Sequence, residues 1–112
     1  MKTLTKKIVS FRDVRDWAQF HNPKDVAISL ALEAAELLEH FQWKNPAEIA
    51  AHIKTNKEAV SEELADVLYW VLLLSYDLKI DPLAALGRKL KKNARKYPVK
   101  KSKGRHTKYN RL

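Results

Sequence analysis

Four carboxylates stand where carboxylates are expensive. Glu33 and Glu36 lie three residues apart in SLALEAAELLEHFQW (Ser29 to Trp43), and Glu63 and Asp66 repeat that spacing in SEELADVLYWVLLL (Ser61 to Leu74). On a helix, residues at i and i+3 share a face. Both segments are otherwise dominated by Leu, Ala and Val, so the acids sit at the edge of surfaces built for burial. Ionised carboxylates are costly to bury without partners, and they repel one another when gathered. No Lys or Arg is at hand to neutralise them: none occurs from Val26 to Trp43 or from Glu58 to Leu78. A divalent cation would do so. An all-oxygen donor set selects Mg²⁺, with Mn²⁺ as the substitute, over zinc. Carboxylates on facing helices are one way that bundles hold metals. The plain alternative is two solvated acidic faces that never meet. E-x-x-E is common on surface helices, and it is the second motif, again without basic neighbours, that favours a metal.

The elements that must position these groups read as helices. Only two glycines occur, Gly87 and Gly104, and no strand-like alternation persists. Asn22-Pro23, Asn45-Pro46 and Asp81-Pro82 each read as an N-cap followed by proline at the first helical position. Glu48, three residues after Asn45, favours a helix start, and Asn56 is a further candidate cap. The expectation is an all-α bundle of about five helices: Thr5 to Phe20, Pro23 to His40, Pro46 to Lys54, Lys57 to Lys79, and Pro82 to Lys96. The second helix has a core stripe of Val26, Leu30, Ala34, Leu37 and Phe41, and the fourth one of Val60, Leu64, Val67, Val71 and Leu78. Both carry apolar residues on most remaining faces as well. A 112-residue monomer can hardly bury two such helices, so the bundle is expected to be completed by oligomerisation.

Composition narrows the function classes. The chain has no cysteine, which excludes disulfides and thiolate metal sites. Its first residues, MKTLTKKIVSFRD, have no apolar core of a secretory signal. The longest apolar run, VLYWVLLL, falls far short of the ~20 residues that span a bilayer. The expected setting is cytoplasmic, with no membrane partner. The net charge of +9 is uneven: twelve Lys and Arg and no acid fall between Arg88 and Arg111. Residues 1–98 are therefore read as one helical domain and 99–112 as a basic tail, the segment expected to be most flexible. Such a tail attracts polyanions. A helical nucleic-acid-binding protein is thus the alternative function, and a non-catalytic dimerisation bundle is a third. No DNA-reading motif accompanies the charge, which counts against nucleic acid as a partner.

The same residues carry a resemblance. The chain resembles the all-α nucleotide pyrophosphohydrolases of the MazG-like superfamily, and within it the dCTP pyrophosphatase branch. The signature of that group, E-x-x-E, a spacer and E-x-x-D, is matched by Glu33 to Glu36 and Glu63 to Asp66. WAQFHNP (Trp17 to Pro23), ELLEHFQWK (Glu36 to Lys44) and KLKKNARKYPVKKSKG (Lys89 to Gly104) are similar to flanking segments of the branch, so the likeness runs from about Phe11 to Tyr109. It implies Mg²⁺-dependent hydrolysis of a nucleoside triphosphate between the α- and β-phosphates, giving a monophosphate and pyrophosphate, by a dimer or tetramer. It makes Glu33, Glu36, Glu63 and Asp66 the metal ligands, with Glu33 or Glu36 as the group that takes a proton from the attacking water. It gives Trp17, Phe20, His21, Trp43 and Trp70 to base and sugar recognition, and Lys89, Asn93 and Lys96 to the phosphate end.

Two positions depart from the branch pattern. Trp70 stands where a tyrosine is usual, and Ile8 stands, in ungapped register, where a histidine is usual. Both fall at the recognition end, so hydrolysis is better supported than cytosine selectivity. His40, one turn beyond Glu36, is read as a bystander to Mg²⁺ chemistry.

Overall fold

The computed structural model describes residues 1–111, which fold into helices and turns with no strand among them. The elements are α1 (Lys2–Asp13), a 3₁₀ turn (Ala18–Phe20), α2 (Pro23–Glu39), α3 (Pro46–Asp77), α4 (Pro82–Lys96), α5 (Val99–Ser102) and a 3₁₀ turn (Tyr109–Arg111). Three helix starts follow the expected chemistry. The Asn22 side chain accepts from the Asp25 amide at 2.9 Å. Asn45 and Glu48 form a reciprocal capping box, with bonds of 3.0 and 2.9 Å. Asp81 accepts from the amides of Leu83 and Ala84, each at 3.1 Å. Each cap is worth about 1 kcal/mol, because it satisfies amides that the helix itself leaves free.

Helix exits follow a rule the sequence hides. Asp16, Trp43 and Lys79 all adopt left-handed backbone, with φ of 55°, 69° and 57°. Glycine usually supplies this conformation, and none is available at these points. The exit at Asp16 corrects the expected first helix, which ends at Asp13 rather than at Phe20. The reason is aromatic packing. Phe11 and Trp17, six residues apart, would point to widely separated sides of a continuous helix. The turn brings their rings edge to face at 5.8 Å instead.

The expected third and fourth helices are joined. α3 runs through both, bent at Asn56, whose φ and ψ of −125° and 24° are not helical. Asn56 does not cap a new helix. Its amide donates back to the His52 carbonyl at 3.1 Å.

The chain divides into two compact units, Met1–Lys79 and a second beginning at Ile80. In the first, α3 packs against both α2 and α1. Val26, Leu72 and Leu73 form its most buried apolar core. The stripe expected on the fourth helix holds in part: Val60, Val67 and Val71 are half-buried, but Leu64 and Leu78 are exposed, whereas Leu72 and Leu73 turn inward, because α1 covers the C-terminal half of α3 from a second side. On the second helix, Ala34 of the expected stripe is exposed, while Leu30, Leu37 and Phe41 are half-buried. An ion pair ties α1 down: Arg12 Nη1 donates to Asp77 Oδ2 at 2.8 Å, and Arg12 is the single buried charged residue among those described. That hydrogen bond raises the Arg12 guanidinium above its ordinary pKa.

The second unit holds α4, α5 and the chain end. The residues after Pro98 are not featureless. Val99–Ser102 forms a helical turn, Gly104 reverses the chain at φ 77°, and Tyr109 returns to pack edge to face on Tyr97 at 6.1 Å. The Lys96 ammonium lies 4.5 Å from the Tyr109 ring centre.

Candidate metal centre and its two cavities

Packing of α2 on α3 brings carboxylates from the two helices together. Glu33, Glu36 and Glu63 each offer an oxygen within 4.8 Å of the others. Glu33 Oε2 and Glu63 Oε2 are buried with no hydrogen-bond partner. No Lys or Arg pairs with any of the four acids among the described residues. Buried oxygens without donors, gathered from like-charged groups, carry a free-energy cost that a cation would remove. The residues present therefore fit a hard divalent metal, and all the donors are oxygen.

Protonation behaviour follows from this crowding. The Glu33 carboxyl is pushed up to about 7, first by burial, then by its side-chain contact with Glu36 and the negative charges of Glu36, Asp66 and Glu63. Glu63 is raised too, again by burial first and then by Glu36. Asp66 is not in the close triple, yet its charge acts on both.

The cluster lies between two cavities. Glu33 and Asp66 line one of about 520 Å³, together with Phe11, Trp17, Tyr69 and Trp70. Tyr69 meets Trp70 edge to face at 5.0 Å, and His21 meets the other part of that wall, 5.4 Å from the Trp70 ring. His21 Nδ1 is buried without a partner, a polar atom available to a ligand. Ile8 lines this cavity, as does Lys7. Glu36 and Glu63 line the second cavity, of about 350 Å³, with Glu39, His40 and His52.

The other residues singled out from the sequence lie elsewhere. Phe20 is 65% exposed and Trp43 91% exposed, and neither lines these cavities. Lys89, Asn93 and Lys96 sit on α4 in the second unit. Sequence reasoning missed Lys7, Phe11, Tyr69 and His52. Phe11 and Tyr69 carried a faint signal as aromatics near Trp17 and Trp70. Lys7 and His52 carried none, because only tertiary packing places them.

Residues 28–112 match the MazG-like family, a span that holds all four carboxylates. The chain belongs to the MazG-like family. Among its relatives, dCTP pyrophosphatase 1 of Rattus norvegicus is 39% identical over 104 residues, covering 91% of this chain. The Homo sapiens protein of the same name is 38% identical over 105 residues, with the same coverage. This MazG-like chain spans 61% of the length of either. A crystal structure of a pyrophosphatase from Archaeoglobus fulgidus superposes with a TM-score of 0.84 at 43% identity, covering 88% of this chain and 92% of that one. The all-α fold is thus shared with a solved pyrophosphatase. No helix among the described residues is long and apolar enough to cross a membrane.

Proposed function

We propose that this chain is a Mg²⁺-dependent nucleoside triphosphate pyrophosphohydrolase, with dCTP or a modified dCTP as its first candidate substrate. The observation that carries the reading is the triple of Glu33, Glu36 and Glu63 oxygens, two of them buried without partners, beside an aromatic cavity. Similarity to dCTP pyrophosphatases supports the substrate class.

Glu33, Glu36, Glu63 and Asp66 would hold the metal, which supplies charge neutralisation for the triphosphate and a lower pKa for attacking water. Trp17 and Trp70 offer faces and edges to a flat base, and His21 offers its free ring nitrogen. Water attacks the α-phosphorus, the bond to the bridging oxygen of the β-phosphate breaks, and pyrophosphate departs with the electron pair. The proton of the water passes to Glu33 or Glu36. Glu33 is the better placed of the two, because it also lines the aromatic cavity. Phe20 and Trp43 at the nucleoside, and Lys89, Asn93 and Lys96 at the phosphates, enter the proposal through the family resemblance.

A homo-oligomer, dimer or tetramer, belongs to the same proposal, as does a cytoplasmic setting. Ile28, Leu32 and Leu38 on α2 and Leu64 and Leu68 on α3 are between 43% and 61% exposed. Covering them with a second chain would contribute on the order of 5 kcal/mol per chain. Trp43, exposed and in a left-handed conformation that costs a bulky residue about 1–3 kcal/mol, is a natural contact for that chain.

The test is a screen of common NTPs and dNTPs with and without Mg²⁺, detecting monophosphate and pyrophosphate. Metal-dependent release of both is expected, with dCTP among the better substrates. Glu36→Gln and Asp66→Asn should lose turnover yet keep the helical circular dichroism of the parent. Near-normal pyrophosphate release by either variant overturns the ligand assignment.

A further inference from the structure

The end of α1 is closed by a side chain rather than by the main chain alone. The Val14 amide keeps the helical bond to the Ser10 carbonyl, at 3.0 Å. Those of Arg15 and Trp17 both donate to the Arg12 carbonyl, each at 3.2 Å, and that of Asp16 donates to Asp13 at 3.0 Å. None of these amides takes the Phe11 carbonyl. Arg15 Nη1 donates to it instead, at 2.9 Å. A free carbonyl at a helix end needs such a donor, and here the donor also meets a ring. The same guanidinium lies 3.7 Å over the centre of the Phe11 ring and 5.7 Å from that of Trp17.

Arg15 could have paired with acids. It stands next to Asp16 and two residues after Asp13, yet among the described residues it forms no ion pair. Gln19 holds Asp16: its Nε2 donates to the Asp16 carbonyl and to Oδ2, each at 3.0 Å. The guanidinium is left to the rings. Phe11 and Trp17 line the larger cavity with Tyr69 and Trp70, while Arg15 does not, so Arg15 backs this wall from outside. Phe11 meets Trp17 edge to face at 5.8 Å and Tyr69 at 6.4 Å, which makes it the joint of the wall.

We propose that Arg15 is a positioning residue for nucleobase binding: by clasping both the carbonyl and the ring of Phe11, it holds the Phe11–Trp17 half of the aromatic wall ready for a flat base. This role rests on the hydrolase reading for its ligand and on the contacts above for its geometry. The turn at Asp16 is left-handed without glycine, at φ 55°, a conformation that persists only where its surroundings hold it. Arg15 and Gln19 hold it from two sides. A wall that is ready in only a fraction of molecules lowers apparent affinity by that fraction. Loss of the clasp therefore weakens base binding without touching the acids of α2 and α3. Binding lost equally in ground and transition states raises KM and leaves kcat unchanged.

The experiment is calorimetry of the full chain with deoxycytidine and with dCMP, in Mg²⁺, below the onset of every variant's thermal melt. It compares wild type, Arg15→Met, Phe11→Leu and the double variant. Arg15→Met should weaken both ligands about fivefold, a fold-change within reach of an exposed cation–π contact. KM for dCTP should rise by a similar factor, with kcat and Mg²⁺ affinity as in wild type. In the Phe11→Leu background, Arg15→Met should cost nothing further, because no ring is left to hold. A full loss in that background, or a loss confined to dCMP, makes Arg15 a contact for another group and overturns the proposal. An Arg15→Met protein that melts lower yet binds both ligands as wild type does makes the clasp a helix-end brace only. That result overturns this proposal alone and leaves the hydrolase reading standing. Wild type that binds neither ligand overturns the base wall itself, and the role of Arg15 with it.

Discussion

Removing Asp77 should hurt this protein more than removing Arg12, although the two form one ion pair. The Arg12 side chain is 7% exposed and that of Asp77 is 21% exposed, with 2.8 Å between nitrogen and oxygen. Breaking a buried pair from one side costs about 3–5 kcal/mol, because the survivor keeps a desolvated charge. In Asp77→Ala the survivor is the more deeply buried guanidinium. Its remaining acid, Asp13, is 3.7 Å away and 56% exposed, so it compensates weakly. The loss expected is about 2–3 kcal/mol after allowance for that neighbour and for partial hydration. In Arg12→Met the survivor is a carboxylate that water already reaches, and the methionine refills the space, so the loss is about 1–2 kcal/mol. The double variant should be little worse than Arg12→Met alone, because no orphaned charge is left behind. Urea unfolding followed by circular dichroism, at one fixed protomer concentration, gives all four corners of the cycle. The pair links α1 to the end of α3, and α1 carries Lys7, Ile8 and Phe11 into the aromatic cavity. On the proposed function, Asp77→Ala should therefore raise KM for nucleotide with little change in Mg²⁺ affinity. Equal losses in the two single variants, adding up in the double, would refute the reasoning: the charges would then be acting independently.

Three further outcomes are expected. Glu33 in the metal-free protein titrates near 7, above the ordinary 4.5, so the folded state holds its proton more tightly than the unfolded chain does. That contribution to stability is complete below about pH 4.5 and is lost as pH rises through about 7. The melting temperature in EDTA should fall across this window, and Mg²⁺ should oppose the fall at the alkaline end and release protons on binding. If the proposed oligomer is built on α2 and α3, replacing Leu32 and Leu68 with lysine should yield monomer by light scattering, and an unchanged mass would overturn that interface. Gly87 lies inside α4, and a Cβ added there meets nothing within 4 Å. Gly87→Ala should therefore stabilise the second unit by about 0.5–1 kcal/mol in thermal melts.

The helix starts were legible because each is a local bargain between one side chain and the amides that follow it. Asn22, Asn45 and Asp81 needed nothing from the rest of the fold to declare themselves. The pairing of acids on two apolar helices was legible for a related reason: the cost of gathering those charges can be stated before their geometry is known. Helix ends were harder. Asp16, Trp43 and Lys79 leave the helix without glycine, so composition gives no stop signal, and the turn after α1 is decided by where Phe11 and Trp17 find each other. The bend at Asn56 looked like a gap between two helices, since a polar ending and a new beginning resemble a kink in one dimension. Lys7 and His52 were invisible for the plainest reason. A lysine next to Lys6, or an imidazole between Ala51 and Ile53, acquires meaning only from what is folded against it.

All four acids come from one helical hairpin, whereas much of the aromatic wall comes from α1 and the turn that follows it. On the proposed function, reaction and recognition overlap on α3, which carries Tyr69 and Trp70 beside Asp66, and separate at Phe11 and Trp17. Under that proposal, changes ahead of Pro23 remodel half of the aromatic wall while the four acids keep their places. A hydrolase of the proposed kind would then change its preferred base through α1 and the turn after it, with the acidic hairpin left as it stands.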